Sequence, residues 1–336
     1  MARALALAAT GLLLFAAGYP SALDAGGPTG VAAARLFVSN ENGDTVSVID
    51  LATNTVVATV EAGERPRGIG ASPDGRSGYV ALGDEDAIGV FDAETLKVTR
   101  KLPAGSDPEK FAVAPDGTIW VSNEDENTAS AIDPKAGKVV HVVKVGIEPE
   151  GVGISPNGKL VYVTAETTHS VTVIDASGET PKVVTNILVG NRPREVAFSP
   201  DGKRAYVTAE IGRNVSVIDV ATNRVVKTIA IEDKTAKPKG VVVSPDGTWV
   251  YVALGAANTV AVIDASTNTV AGYVPVGRRP WGLALSKDGR RLYTADGVSN
   301  TVSVVDTGSR KVVETIKVGD GPWGLVIVEQ VLAGQP

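Results

Sequence analysis

An all-β chain folded as a closed ring of seven four-stranded blades is what this sequence predicts, and three observations carry the prediction. The first is compositional: 52 of the 336 residues are valine. Valine is stiff at χ1, suits a pleated surface and is a middling helix former, which excludes a helical bundle. The second is a repeat. An apolar residue followed by aspartate recurs at Asp50, Asp92, Asp133, Asp175, Asp219, Asp264 and Asp306, at intervals of 42, 41, 42, 44, 45 and 42 residues. The third is a pair of markers in step with it. Pro-Asp-Gly or Pro-Asn-Gly turns begin at Pro73, Pro115, Pro156, Pro200 and Pro245, with the variant Lys287-Asp288-Gly289, and each unit opens on a proline at 66, 108, 149, 193, 238, 280 or 322. Four strand-like runs in a period of roughly 40–45 residues are the signature of a β-propeller blade.

The elements follow in order within each unit. In the fifth, the strands are expected at Val196–Ser199, Arg204–Thr208, Asn214–Asp219 and Val225–Ile231, with period-2 alternation and turn residues between them. The first unit lacks an innermost strand, while Gly324–Val328 is a lone strand at the other end. Placing it in the first blade closes the ring and removes two exposed edges. The domain reading is therefore a leader and spacer over 1–34, one propeller over 35–328 and a tail over 329–336. The leader shows Arg3 and then an apolar run from Ala4 to Ala17, too short to span a bilayer. Small-x-small cleavage signals stand at Ala16-Ala17-Gly18 and Ala32-Ala33-Ala34, which predicts a periplasmic or secreted monomer with no membrane anchor after cleavage.

Composition also limits the chemistry. With no cysteine there is no disulfide, iron–sulfur cluster, thiol catalysis or Cys-based zinc site. A net charge of −6 and a pI near 5.2 disfavour nucleic-acid binding. The only histidines, His141 on an outer strand and His169 in a loop beside Glu166, fall short of a three-ligand metal site. No nucleophile elbow, phosphate loop or dinucleotide fingerprint occurs in its strand-to-helix context. The seven repeated aspartates read as turn formers that bond the N–H groups of their own loops. What every blade shares is fold, so function is sought where the blades differ.

They differ in the residues flanking each opening proline. Around the ring these are Arg65 and Arg67, Asp107 and Glu109, Glu148 and Glu150, Arg192 and Arg194, Lys237 and Lys239, Arg279 and Trp281, and Gly321 and Trp323. The loops between strands two and three repeat the contrast: Asp84-Glu85-Asp86 and Glu124-Asp125-Glu126 against Gly255-Ala256-Ala257-Asn258. The expectation is a mouth with an acidic rim facing a basic, tryptophan-bearing arc. Such an arc suits a planar or carboxylated anion, since arginine forks onto carboxylate and tryptophan offers a stacking face. A charge-complementary protein partner, or solvated rim charges of little energetic weight, are the competing readings. Asp84, Asp86, Glu124 and Glu126 are weak candidates for a divalent metal, matching no known loop template.

The strand motifs Tyr162-Val163-Thr164-Ala165 and Tyr206-Val207-Thr208-Ala209, with variants such as Trp120-Val121-Ser122-Asn123, resemble the repeat of the YVTN β-propellers over about residues 35–328. The Pro-x-Gly openings and leader are most similar to the PQQ-dependent catabolism-associated branch. That resemblance implies a non-enzymatic binding or scaffold module, without intrinsic cofactor, beside a periplasmic quinoprotein dehydrogenase or a transport component. It also makes the quinone cofactor PQQ a ligand to consider on the basic arc. The features expected of the dehydrogenases themselves, eight tryptophan-docked blades, vicinal cysteines and a haem-binding Cys-x-x-Cys-His, are absent from this sequence. Two alternatives stand beside it: a metal-dependent, lactonase-like hydrolase with a channel site, and single-stranded nucleic-acid binding on the basic arc.

Overall fold

The computed structural model describes residues 34–329, so the predicted leader and most of the tail lie outside the described residues. Within them the chain forms seven four-stranded antiparallel sheets, each built from strands consecutive in sequence except the first. That blade joins Ala34–Asn40, Thr45–Asp50 and Thr55–Glu61 to Pro322–Glu329, in the register Leu36↔Ile327. The ring closes as the sequence predicts. In the fifth blade the strands are Pro193–Phe198, Arg204–Ala209, Asn214–Asp219 and Arg224–Ala230. The innermost strand starts earlier than expected because the opening proline already pairs with Ala209, across an irregularity before Val196.

Burial explains the valine excess. The third strand of the fifth blade, Asn214–Asp219, is buried at its four central residues, while the outermost, Arg224–Ala230, is mostly exposed. Middle strands are covered on both faces by the neighbouring blades, so Val215, Ser216, Val217 and Ile218 are buried in succession, with small residues such as Ser216 where the blades approach. Seven apolar clusters result, one per seam. Phe37, Val48, Leu82 and Phe91 join blades one and two, and Leu36, Ile49, Tyr293 and Val304 join blades seven and one. Each fully buried valine or isoleucine contributes about 1.5–3 kcal/mol. Tyr162, packed on Phe198 at 4.8 Å, is fully buried; burial pushes its phenol up to about 12 and its hydroxyl donates to Asn223 at 2.5 Å.

The repeated aspartates are the turn formers the sequence predicts. Asp50 Oδ1 accepts from the N–H of Ala52 at 2.7 Å, Asp92 from Thr95 at 2.7 Å and Asp306 from Ser309 at 2.8 Å. The innermost strands contact their counterparts in both neighbouring blades around the ring, and their proline-led starts therefore surround one mouth of the channel.

Candidate functional site

The mouth is built by a local device repeated loop after loop. The residue before the opening proline has positive φ in Arg65, Asp107, Glu148, Arg192, Arg279 and Gly321, between 51° and 68°. For residues other than glycine this conformation costs roughly 1–2 kcal/mol. A latch offsets it: the N–H of Arg65, Asp107, Glu148, Arg279 and Gly321 donates to the side chain of Asp44, Asp86, Asn127, Asn258 and Asn300 respectively, at 2.9–3.0 Å. In blade five the acceptor is His169 Nδ1, 3.2 Å from the Arg192 nitrogen. His169 and Asp86 thus hold loops in place, which accounts for both without a metal.

The flanking side chains do not form two opposed arcs, and here the expectation is corrected. Residues one repeat apart are lateral neighbours in a ring. Arg65 pairs with Asp107 and, at 2.8 Å, with Asp84; Arg67 pairs with Glu109 and, at 2.8 Å, with Glu41. On the other side of the acidic blades, Arg194 bonds Glu150 at 2.5 Å and also Glu166, while Arg192 bonds Glu166. Glu166 and Glu210 escaped the sequence reading. They directly follow the Tyr-Val-Thr-Ala strands, at the loop position of Glu124 and Gly255 but in two blades whose loops between strands two and three were not compared, and are only 5% and 6% exposed. Arg65, Arg67, Arg192 and Arg194 are therefore engaged by carboxylates rather than presented to a ligand. Lys110 and Glu195, also missed, pair between the inner strands of blades three and five, with Lys110 Nζ 5.9 Å from the Trp323 ring.

Positive charge survives where acids are missing. The position that holds Glu166 and Glu210 is Gly255 in blade six and Gly297 in blade seven. There a pocket of about 390 Å³ opens, lined by Lys237, Lys239, Arg278, Arg279 and Trp281 with Glu210 as its carboxylate. Three cations and the Lys239 amine thus face one acid. The Trp281 ring organises them: Lys239 Nζ lies 4.0 Å, the Arg279 guanidinium 4.9 Å and the Arg194 guanidinium 5.2 Å from its centroid. Trp323, only 4% exposed, supports that ring at 5.7 Å rather than lining the pocket. Lys239 also sits 2.7 Å from the Glu210 carboxylate. Burial, helped by the Arg194 charge and resisted by Glu210, lowers the Lys239 amine to about 7. Burial works to raise Glu210, but the bond and charge of Lys239, with Arg194 and Arg192, outweigh it and hold it below the usual carboxylate range.

A second cluster bears on the metal candidates. Oxygens of Asp107, Glu109 and Glu124 lie within 4.8 Å of one another. Burial raises Asp107 against the pull of Arg65 and Arg67, and burial with the Glu150 and Asp107 charges raises Glu124. The donor set does not fit a divalent cation well. Two of the three carboxylates are already bound by guanidinium groups, which supply the positive charge an ion would bring, and six to eight oxygens are wanted for calcium. Asp84 is likewise held by Arg65, and Glu126 accepts from Thr128 at 3.4 Å.

Comparison with known proteins corrects the functional reading. Residues 152–320 match the family model described as lactonase, seven-bladed beta-propeller, and residues 2–124 match a YNCE-like beta-propeller model. No curated protein matches significantly. Similar solved structures include a proposed 6-phosphogluconolactonase from Bacteroides uniformis, with TM-score 0.75 and 21% identity over 89% of this chain and 100% of that one. A second, from Bacteroides fragilis, has TM-score 0.76 and 20% identity over 88% of this chain and 98% of that one. Kuenenia stuttgartiensis hydrazine synthase has TM-score 0.71 and 24% identity over 80% and 96%. At these identities the structures share the fold. The lactonase family match overturns the expectation of a non-enzymatic scaffold and favours the hydrolase alternative.

Proposed function

Because the chain belongs to the lactonase family of seven-bladed β-propellers, we propose that it hydrolyses small anionic lactones in the pocket between blades five, six and seven. The observation that carries this reading is the localised charge imbalance: Lys237, Arg278, Arg279 and the Lys239 amine against one carboxylate around a tryptophan face, where Arg65, Arg67 and Arg194 elsewhere on the rim are held in ion pairs. Lactone opening moves negative charge onto the carbonyl oxygen and leaves a carboxylate. Fixed guanidinium groups in a partly desolvated site stabilise both. Arg278 and Arg279 are exposed at the pocket wall and free to take the substrate's anionic substituent, while Trp281 covers the ring. Glu210, held ionised, keeps Lys239 in place.

The predicted leader supports a further proposal, that the enzyme acts outside the cytoplasm. The Tyr-Val-Thr-Ala strands support a likeness to the YVTN propellers in strand sequence, which carries no chemistry. Proton release from a panel of carboxylated, phosphorylated and neutral five- and six-membered lactones tests the main reading. Anionic members should be opened well above the uncatalysed rate. A panel left untouched would remove the proposal.

A further inference from the structure

Resting on the lactonase reading, we propose that the Lys239 amine takes the proton from the attacking water and returns it to the leaving alkoxide. Lys239 stands on the innermost strand of blade six, Pro238–Val243, and its side chain, 7% exposed, reaches the pocket. The lining offers few rivals. Arg278 and Arg279 carry guanidinium groups, which donate hydrogen bonds and offer no acceptor. Glu210 is ionised but tied to Lys239, and Lys237, 57% exposed, sits at the outer edge. Among the described residues of the lining, Lys239 is the amine that is buried, borders the cavity and has a carboxylate to receive its charged form.

Its surroundings set the protonation balance. Glu210 and Arg194 face it from blade five, Glu150 acts from blade four, and Arg279 shares the Trp281 ring from blade seven. Lys237 lies in its own loop, and the Glu195 carboxylate lies beside Gly240. Burial and the cations favour the neutral amine, the acids favour the ammonium, and the outcome of about 7 leaves both forms available at neutral pH.

The step balances without a co-reactant. The water oxygen bonds to the acyl carbon as the neutral amine removes a water proton, and the carbonyl π pair moves to oxygen. Collapse breaks the ring acyl–oxygen bond. The ammonium, paired with Glu210, gives its proton to the alkoxide, and the new carboxylic acid releases one proton to solvent. A guanidinium group at the ring of Trp281 stabilises the intermediate oxyanion.

The test is kcat/KM against pH for wild type, Lys239→Met and Lys239→Arg on an anionic lactone that the wild type opens. Binding of the hydroxy-acid product is followed by tryptophan fluorescence. The wild-type rate should rise through pH about 7. Both variants should lose the rise and on the order of 10²–10⁴-fold in rate while still binding product. Arginine keeps the charge opposite Glu210, so a purely structural role would be rescued by Lys239→Arg. Rescue, or an unchanged pH profile in Lys239→Met, overturns the assignment and leaves the lactonase reading standing. A wild-type protein that opens no lactone overturns that reading and this one together. Modification of wild-type Lys239 by trinitrobenzenesulfonate, located by mass spectrometry, needs no variant. Half-maximal reactivity near neutrality supports the assignment, and reactivity only near the ordinary lysine range contradicts it.

Discussion

Replacing Asp296 by asparagine should stabilise the protein at neutral pH, a result that the repeat itself makes calculable. Asp296 ends the second strand of blade seven and is fully buried. Its carboxyl accepts from Ser303 at 2.6 Å, Thr294 at 2.7 Å and Thr301 at 3.2 Å, hydroxyls rather than cations. At the same register Asn40 and Asn123 in blades one and three donate to Thr45 and Ser47, and to Thr128 and Ser130, at 2.9–3.1 Å. The site thus accepts a neutral amide of the same shape. Burial raises the Asp296 pKa despite those bonds. Its contribution to stability is therefore most favourable below the unfolded value of 3.8 and is lost as pH rises through the folded value. Taking a buried charge that no cation among the described residues pairs out of the folded state removes a desolvation penalty of about 1–3 kcal/mol, and the hydroxyl bonds partly survive in the amide, so Asp296→Asn should be the more stable at pH about 7 by an amount of that order. Urea denaturation at neutral pH and below the carboxylate range measures it. The gain should vanish in acid. Destabilisation at neutral pH, or an equal gain at both, would refute the reasoning.

Two other consequences are direct. Arg194→Met leaves Glu150 buried without its cation and Glu166 with Arg192 alone, and should cost about 3–5 kcal/mol in urea denaturation; a loss below about 1 kcal/mol would mean that water reaches the network. Dialysis against a chelator should leave lactone hydrolysis within about twofold of its starting rate, because guanidinium groups already neutralise Asp107 and Glu109. A large loss restored by a divalent cation would reinstate the Asp107, Glu109 and Glu124 cluster as a metal site.

The ring was legible because every blade needs the same turns, and turns need particular residues. Aspartate at strand ends and glycine at positive φ, as in Gly75 and Gly202 at 68°, repeat with the blade and mark its period. Closure was legible from a surplus strand at one end and a missing one at the other. The site was legible only in part. Of the residues lining the candidate pocket, Lys237, Lys239, Arg279 and Trp281 stand at repeat positions and were singled out from the sequence; Arg278, one residue outside that register, was not. The pairing of the rim had a signal that was misread. Arg65 with Asp107 and Arg67 with Glu109 are each 42 residues apart, one blade, and opposite charges at that spacing attract sideways rather than divide the mouth. Burial of Glu166 and Glu210 had no such signal, because the covering neighbours come from adjacent blades. The proposed lactonase chemistry had no sequence motif to announce it, since the residues lining the pocket come from several blades and share no local spacing.

The central claim, that the unneutralised cations of blades six and seven bind the anionic part of a lactone substrate, is tested most directly by substrate selectivity in Arg278→Ala/Arg279→Ala. Charged hydrogen bonds of about 1.5–3 kcal/mol each set the scale. The double variant should lose at least about tenfold more in kcat/KM on an anionic lactone than on a neutral one of the same ring size, because the oxyanion contact is lost for both and the contact to the anionic substituent for only one. Equal losses on both substrates, or undiminished hydrolysis of the anionic one, would contradict the account.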